Sequence, residues 1–166
     1  MKNFLVKTAA IALLLVHLDR ATAMEFEKMG TAVAGALKVT KASKASTVVD
    51  GKPVNAFYAK NGTGKAARFA VVQQRVYPPN CSHTWVIGLD ASGKVDDIHV
   101  VELGCTHAYP TKEKSFLQQF NGKSLADVKS LKGSVQTVAK ATGSSELAAD
   151  AVVTAITAVG QLKKTL

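Results

Sequence analysis

Both cysteines of this chain and two of its four histidines fall in one repeated pattern, Cys81-Ser-His83 and Cys105-Thr-His107. Thiol and imidazole at alternate positions can do three kinds of chemistry. The sulfurs can close a structural disulfide, or they can cycle between dithiol and disulfide and move electrons. Alternatively Cys81, His83, Cys105 and His107 can together hold a metal ion or a haem, since two Cys and two His suit tetrahedral zinc or copper. No Cys-x-x-Cys-His run occurs, so c-type haem attachment is excluded. A second constellation is Thr142-Gly143-Ser144-Ser145, just ahead of an Ala/Val-rich stretch. A hydroxyl-rich turn at a helix start offers free N–H groups and the positive end of the macrodipole, a seat for phosphate. Plain capping by Ser144 or Ser145 is the competing reading. No Ser/His/Asp order suggests hydrolysis, and the adjacent Asp96 and Asp97 face opposite sides of a strand.

The Cys-x-His pairs need a scaffold that brings them together, and a hairpin supplies it. Cys81 to Leu89 and Val95 to Leu103 are β-rich runs around the turn Asp90-Ala-Ser-Gly93-Lys94. Alternation puts Cys81, His83, Trp85, Ile87 and Leu89 on one face. A three-residue loop at Ala91 to Gly93 would set Val95, Val101, Leu103, Cys105 and His107 on that same face. Cys81 and Cys105 then lie directly opposite or one diagonal step apart. Only direct opposition gives the Cα separation of about 4.4–6.8 Å that a disulfide needs.

Elsewhere, Phe26, Met29, Val33 and Leu37 recur at helical spacing and predict a helix over 25–38. Residues 41–51 are polar and read as a loop. Strands are expected over 56–60 and 65–76 around the turn Asn61-Gly62-Thr63-Gly64. After His107, Thr111 is a candidate cap for a helix over 113–120, Ser124 caps a short element over 125–131, and 135–138 could hold a short strand. The longest helix is expected over 146–164. The fold class is therefore α+β: an antiparallel sheet of two hairpins packed with a long C-terminal helix and short helices.

Residues 1–23 read as an export leader, with basic Lys2 and Lys7, an apolar run from Thr8 to Leu18 and the small-residue site Ala21-Thr22-Ala23. Eleven apolar residues fall short of the roughly 20 that span a bilayer. Residues 24–166 are then a single soluble domain in a periplasm, where a disulfide is the preferred state of two cysteines. The leader takes three of 21 basic and one of 12 acidic residues, leaving a net charge of +7 that favours anionic partners. The basic residues are dispersed and not interleaved with aromatics, which argues against nucleic-acid binding.

Several stretches resemble the FMN-binding domain family, the flavin domain of Rnf complexes and of the sodium-pumping quinone reductase. Val86 to Glu102 is similar to that family's central hairpin, and Ser115-Phe-Leu-Gln-Gln-Phe120-Asn-Gly122-Lys123 resembles its "FLxQFxGK" segment. Thr142-Gly143-Ser144-Ser145 followed by Ala151-Val-Val matches the order of its flavin motif. The resemblance implies an FMN electron carrier, more a carrier than an enzyme with a substrate of its own, working with redox partner proteins. It implies Ser145 as the phosphate-ester acceptor, with Thr142, Gly143 and Ser144 forming the turn; a second alignment makes Thr142 the acceptor. Ala139 stands where modified members carry Asp, so the companion expectation is non-covalent FMN held by Lys140 and the helix start. A flavin-free binding or structural module of the same fold, with a disulfide or a metal or haem site at the Cys-x-His pairs, is the alternative.

Overall fold

The computed structural model describes residues 26–39 and 41–166, so the expected leader lies outside the described residues. Five strands form one antiparallel sheet in simple sequence order: β1 (Ser43–Val49), β2 (Lys52–Lys60), β3 (Ala66–Tyr77), β4 (Cys81–Asp90) and β5 (Val95–Leu103). Helix α1 (Met29–Leu37) covers one face, and α4 (Thr142–Leu162) covers the other. Between β5 and α4 come a 3₁₀ segment (Thr106–Lys112), the short α2 (Lys114–Leu117) with a 3₁₀ turn (Gln118–Phe120), and α3 (Val128–Ser134). The architecture is α+β.

Strand alternation builds two cores. Phe69, Val71, Trp85, Ile87 and Leu89 pack towards Ala151, Val152, Ala155, Ile156 and Val159 of α4. The intervening Ala70, Val72 and Val86 meet Ala32, Ala36 and Leu37 of α1. Small residues set the spacing on the α1 side. A Cβ at Gly88 would stand 3.2 Å from the Cβ of Ala36, so α1 lies against the strand backbone there.

Residues 41–51 are not a loop: β1 occupies most of them. Its inward residues are Ala45, Thr47 and Val49, two of them small, and its outward face mixes Lys44 and Ser46 with the exposed Val48, which hides the alternation. The overlooked signal is Asp50-Gly51, at φ 49° and 74°, a two-residue turn with Val49 opposite Lys52. The next two turns share one device. Asn61 accepts hydrogen bonds from the Thr63 and Lys65 amides, as Asp90 does from those of Ser92 and Lys94.

Further differences lie after β5. Thr111 does not cap a helix; it is buried, and its hydroxyl donates to the Ala108 carbonyl. The 125–131 element starts later, at Val128, with Ser124 donating to the Asp127 carboxylate. No strand forms at 135–138. Side chains satisfy that backbone instead: Gln119 accepts from the Gln136 amide and donates to its carbonyl, and Ser145 accepts from the Val138 amide. Finally, α4 begins at Thr142, so the Thr142–Ser145 stretch is its first turn and not a loop ahead of it.

Candidate functional site

The hairpin positions the cysteines through two bulges that cancel. Leu89 faces Val95, but Gly88 faces Asp97; Trp85 faces Val100, but Thr84 faces Glu102. Each bulge shifts the side-chain alternation by one. Ile98 and Val100 therefore join the α4-side core, and Val101, expected on that face, turns to the α1 side. After the second bulge the parity is restored. Leu103 faces His83, the Gly104 amide donates to the Ser82 carbonyl at 2.7 Å, and Cys81 stands opposite Cys105. The Cα atoms are 5.6 Å apart and the two cysteines form a disulfide. Gly104 belongs to this close approach, because a Cβ there would lie 2.8 Å from the Ser82 carbonyl oxygen.

His83 is fully buried behind the disulfide. Its Nδ1 lies 2.8 Å from the Ser82 carbonyl, an acceptor only, so Nδ1 carries the proton. Nε2 then accepts the Ser144 hydroxyl at 3.0 Å. Burial pushes the imidazole below its ordinary pKa, the nearby His107 adds to this, and the Ser82 carbonyl and Glu102 work the other way. The result is a neutral, fixed ring packed edge-on against Trp85 at 5.6 Å. Its two nitrogens lie 3.9 and 4.0 Å from the Cys81 sulfur.

His107 is different. It sits in the 3₁₀ segment that follows β5 and is exposed, its ring 6.1 Å from that of Tyr77. One ligand atom from each of Cys81, Cys105 and His107 lies within 4.8 Å of the others. The structure therefore gathers three of the four candidate ligands. It assigns the fourth, His83, to Ser144.

The Thr142–Ser145 motif meets this cluster from the other side. Ser144 and Ser145 are buried. The Ser145 hydroxyl donates to the Ala141 carbonyl at 2.9 Å and accepts from the Val138 amide at 3.0 Å, so it is spent on the connector that leads into α4. Thr142 is exposed, as is Lys140, which adopts φ 65°. Gly143 lies under Tyr77, whose ring a Cβ would strike. Tyr77 thus touches both halves of the site, a role that the sequence signals only through its place before Pro78-Pro79.

The donor set fits two groups unequally. Two sulfurs and an imidazole fit a thiophilic ion when the disulfide is open. For FMN, the first turn of α4 with Lys140 and Thr142 fits a phosphate, whereas the enclosed Ser145 hydroxyl does not fit an ester bond. Among the described residues no helix is long and apolar enough to cross a membrane. No protein-family model, curated protein or solved structure matches this chain, so the likeness to FMN-binding domains stands on its motif residues alone.

Proposed function

We propose that this chain is an exported, periplasmic FMN-binding electron-transfer domain, with the flavin phosphate seated at the start of α4. The observation that carries this reading is the meeting of two distant motifs. The Ser144–His83 hydrogen bond, between residues 61 apart, joins the phosphate-type turn to the end of the Cys-x-His hairpin. Lys140 and the exposed Thr142 offer charge and hydroxyl to a phosphate, and the N-terminal end of a 21-residue helix favours the anion. When bound, FMN supplies the redox chemistry, and the chain supplies orientation and electrostatics. The positive charge suits acidic redox partners.

The test is an absorbance spectrum of protein purified from its native source, followed by intact mass. Flavin bands without added mass are expected, lost in the Lys140→Ala/Thr142→Ala double variant and kept in Ser145→Ala where that variant folds. Colourless protein that apo-reconstitution with FMN leaves colourless overturns the reading. A second reading, a flavin-free module stapled by Cys81–Cys105, is favoured by the Ser145 hydroxyl being engaged on both sides within the chain.

A further inference from the structure

The disulfide, the exposed imidazole beside it and the sealed imidazole behind it together suggest chemistry that does not depend on a bound flavin. We propose that Cys81, Cys105 and His107 form a redox-gated site for a thiophilic cation of the zinc or copper(I) class, closed as the disulfide and opened by a dithiol.

The geometry carries the proposal. One ligand atom from each of these residues lies within 4.8 Å of the others while the two sulfurs are bonded, so parting the sulfurs leaves two thiols and an imidazole around one ion-sized space. They come from three rigidly placed points: the start of β4, the residue that follows Gly104 after β5, and the second residue of the 3₁₀ segment. The Gly104–Ser82 backbone hydrogen bond holds the strand ends together without the disulfide. Opening the bond therefore leaves the sulfurs as neighbours. His107 is the exposed member and leaves the ion a side open to solvent. His83 cannot serve, because Ser82 and Ser144 hold both of its nitrogens.

Accessibility orders the chemistry. Cys81 is buried and Cys105 is half-buried, so an incoming thiolate attacks the Cys105 sulfur. A new S–S bond forms to the reductant, the Cys81–Cys105 bond breaks, and its electron pair leaves on the Cys81 sulfur. The second thiolate of the dithiol then attacks its own sulfur in the mixed disulfide and releases Cys105. The dithiol ends as a cyclic disulfide, having supplied two electrons. The two protons of the dithiol pass to the chain sulfurs, and binding of the ion releases them. A bare thiolate at the buried Cys81 is costly, and a divalent or monovalent soft cation cancels that charge.

The experiment is zinc titration of the full chain against a chromophoric chelator, before and after reduction by a dithiol that is then removed anaerobically. The reduced protein is expected to take up one zinc per chain with release of protons, and the oxidised protein none. Cobalt(II) in place of zinc should give the thiolate charge-transfer absorption. His107→Ala, at an exposed position, should keep the circular dichroism of the wild type and weaken zinc binding about tenfold or more. Cys105→Ser should abolish the charge-transfer band. Equal zinc binding by oxidised and reduced protein, or unchanged affinity in His107→Ala, overturns the proposal. All of these readouts can be taken on flavin-free protein, so failure here is distinct from failure of the flavin reading.

Discussion

At the scale of single residues, His83 shows how a polar side chain is kept in a core. Its ring donates through Nδ1 to Ser82 and accepts through Nε2 from Ser144, so it is buried with both nitrogens partnered. Removing one partner exposes the asymmetry of hydrogen bonding, since an orphaned buried acceptor loses its full solvation. Ser144→Ala should destabilise the fold by about 1–3 kcal/mol, measured by urea unfolding at neutral pH. The same ring predicts a pH dependence. Its folded pKa is lowered, so the unfolded chain binds a proton that the folded chain refuses. Stability is full above the ordinary histidine value of 6.5 and falls as pH drops through it, levelling off below the folded pKa. Denaturation midpoints taken across that window should show the decline in the wild type and lose this part of it in His83→Gln. A pH profile identical in the two proteins would contradict the burial of His83.

At the scale of elements, the site depends on how α4 meets the β3–β4 connection. Tyr77, the last residue of β3, lies over Gly143 in the first turn of α4, and no side chain fits between them. Gly→Ala inside a helix ordinarily stabilises by up to about 1 kcal/mol. Here Gly143→Ala should instead lower the thermal midpoint, and Tyr77→Ala added to it should recover part of the loss. A double variant no better than Gly143→Ala would show that the ring is not what fills the space. Elements are also tied by charge. Asp150 of α4 accepts from Arg75 of β3 at 2.9 Å and pairs with Lys132 of α3. Burial disfavours its carboxylate, but the Lys132 and Arg75 hydrogen bonds outweigh this and hold its pKa below the ordinary value. That contribution is present above the unfolded value of 3.8 and lost as pH falls through the folded one. Asp150→Asn should therefore flatten acid unfolding in that lower window and leave the histidine window untouched.

For the whole molecule, the disulfide is a staple on a sheet that is already closed. The two cysteines are 24 apart in sequence, and a crosslink over a loop of that length stabilises by about 3–4 kcal/mol in the chain-entropy description. Two packed cores, one on each face of the sheet, remain when it is opened. Cys81→Ala/Cys105→Ala should lower stability by about that amount and keep the far-ultraviolet circular dichroism of the native fold. Loss of the native spectrum at neutral pH would mean that the hairpin ladder does not hold the sheet end alone.

Much of this was legible in the chain. The 3.6-residue pattern placed α1 and the body of α4, and β-rich runs between turn signals placed β2 to β5. The Asp90–Lys94 turn and the two cysteines made a disulfide across one hairpin the preferred reading, and the structure forms it. Local signals sufficed at the Asn61 and Asp90 turns because each side chain there accepts hydrogen bonds from its own turn's amides. The edge strand β1 was hidden, since Ala45 and Thr47 are small, Val48 faces outward, and the strand is held by pairing with β2 and by packing on α4. The first turn of α4 was misplaced for a similar reason: Ser144 and Ser145 look like cap residues, but their hydroxyls bond to His83, Ala141 and Val138 inside the fold. Only the tertiary structure decided that two bulges cancel to bring Cys105 opposite Cys81, that His83 is sealed while His107 is open, and that Tyr77 covers Gly143. Those outcomes depend on which side chains meet across elements, and spacing along a single strand or helix carries no record of that.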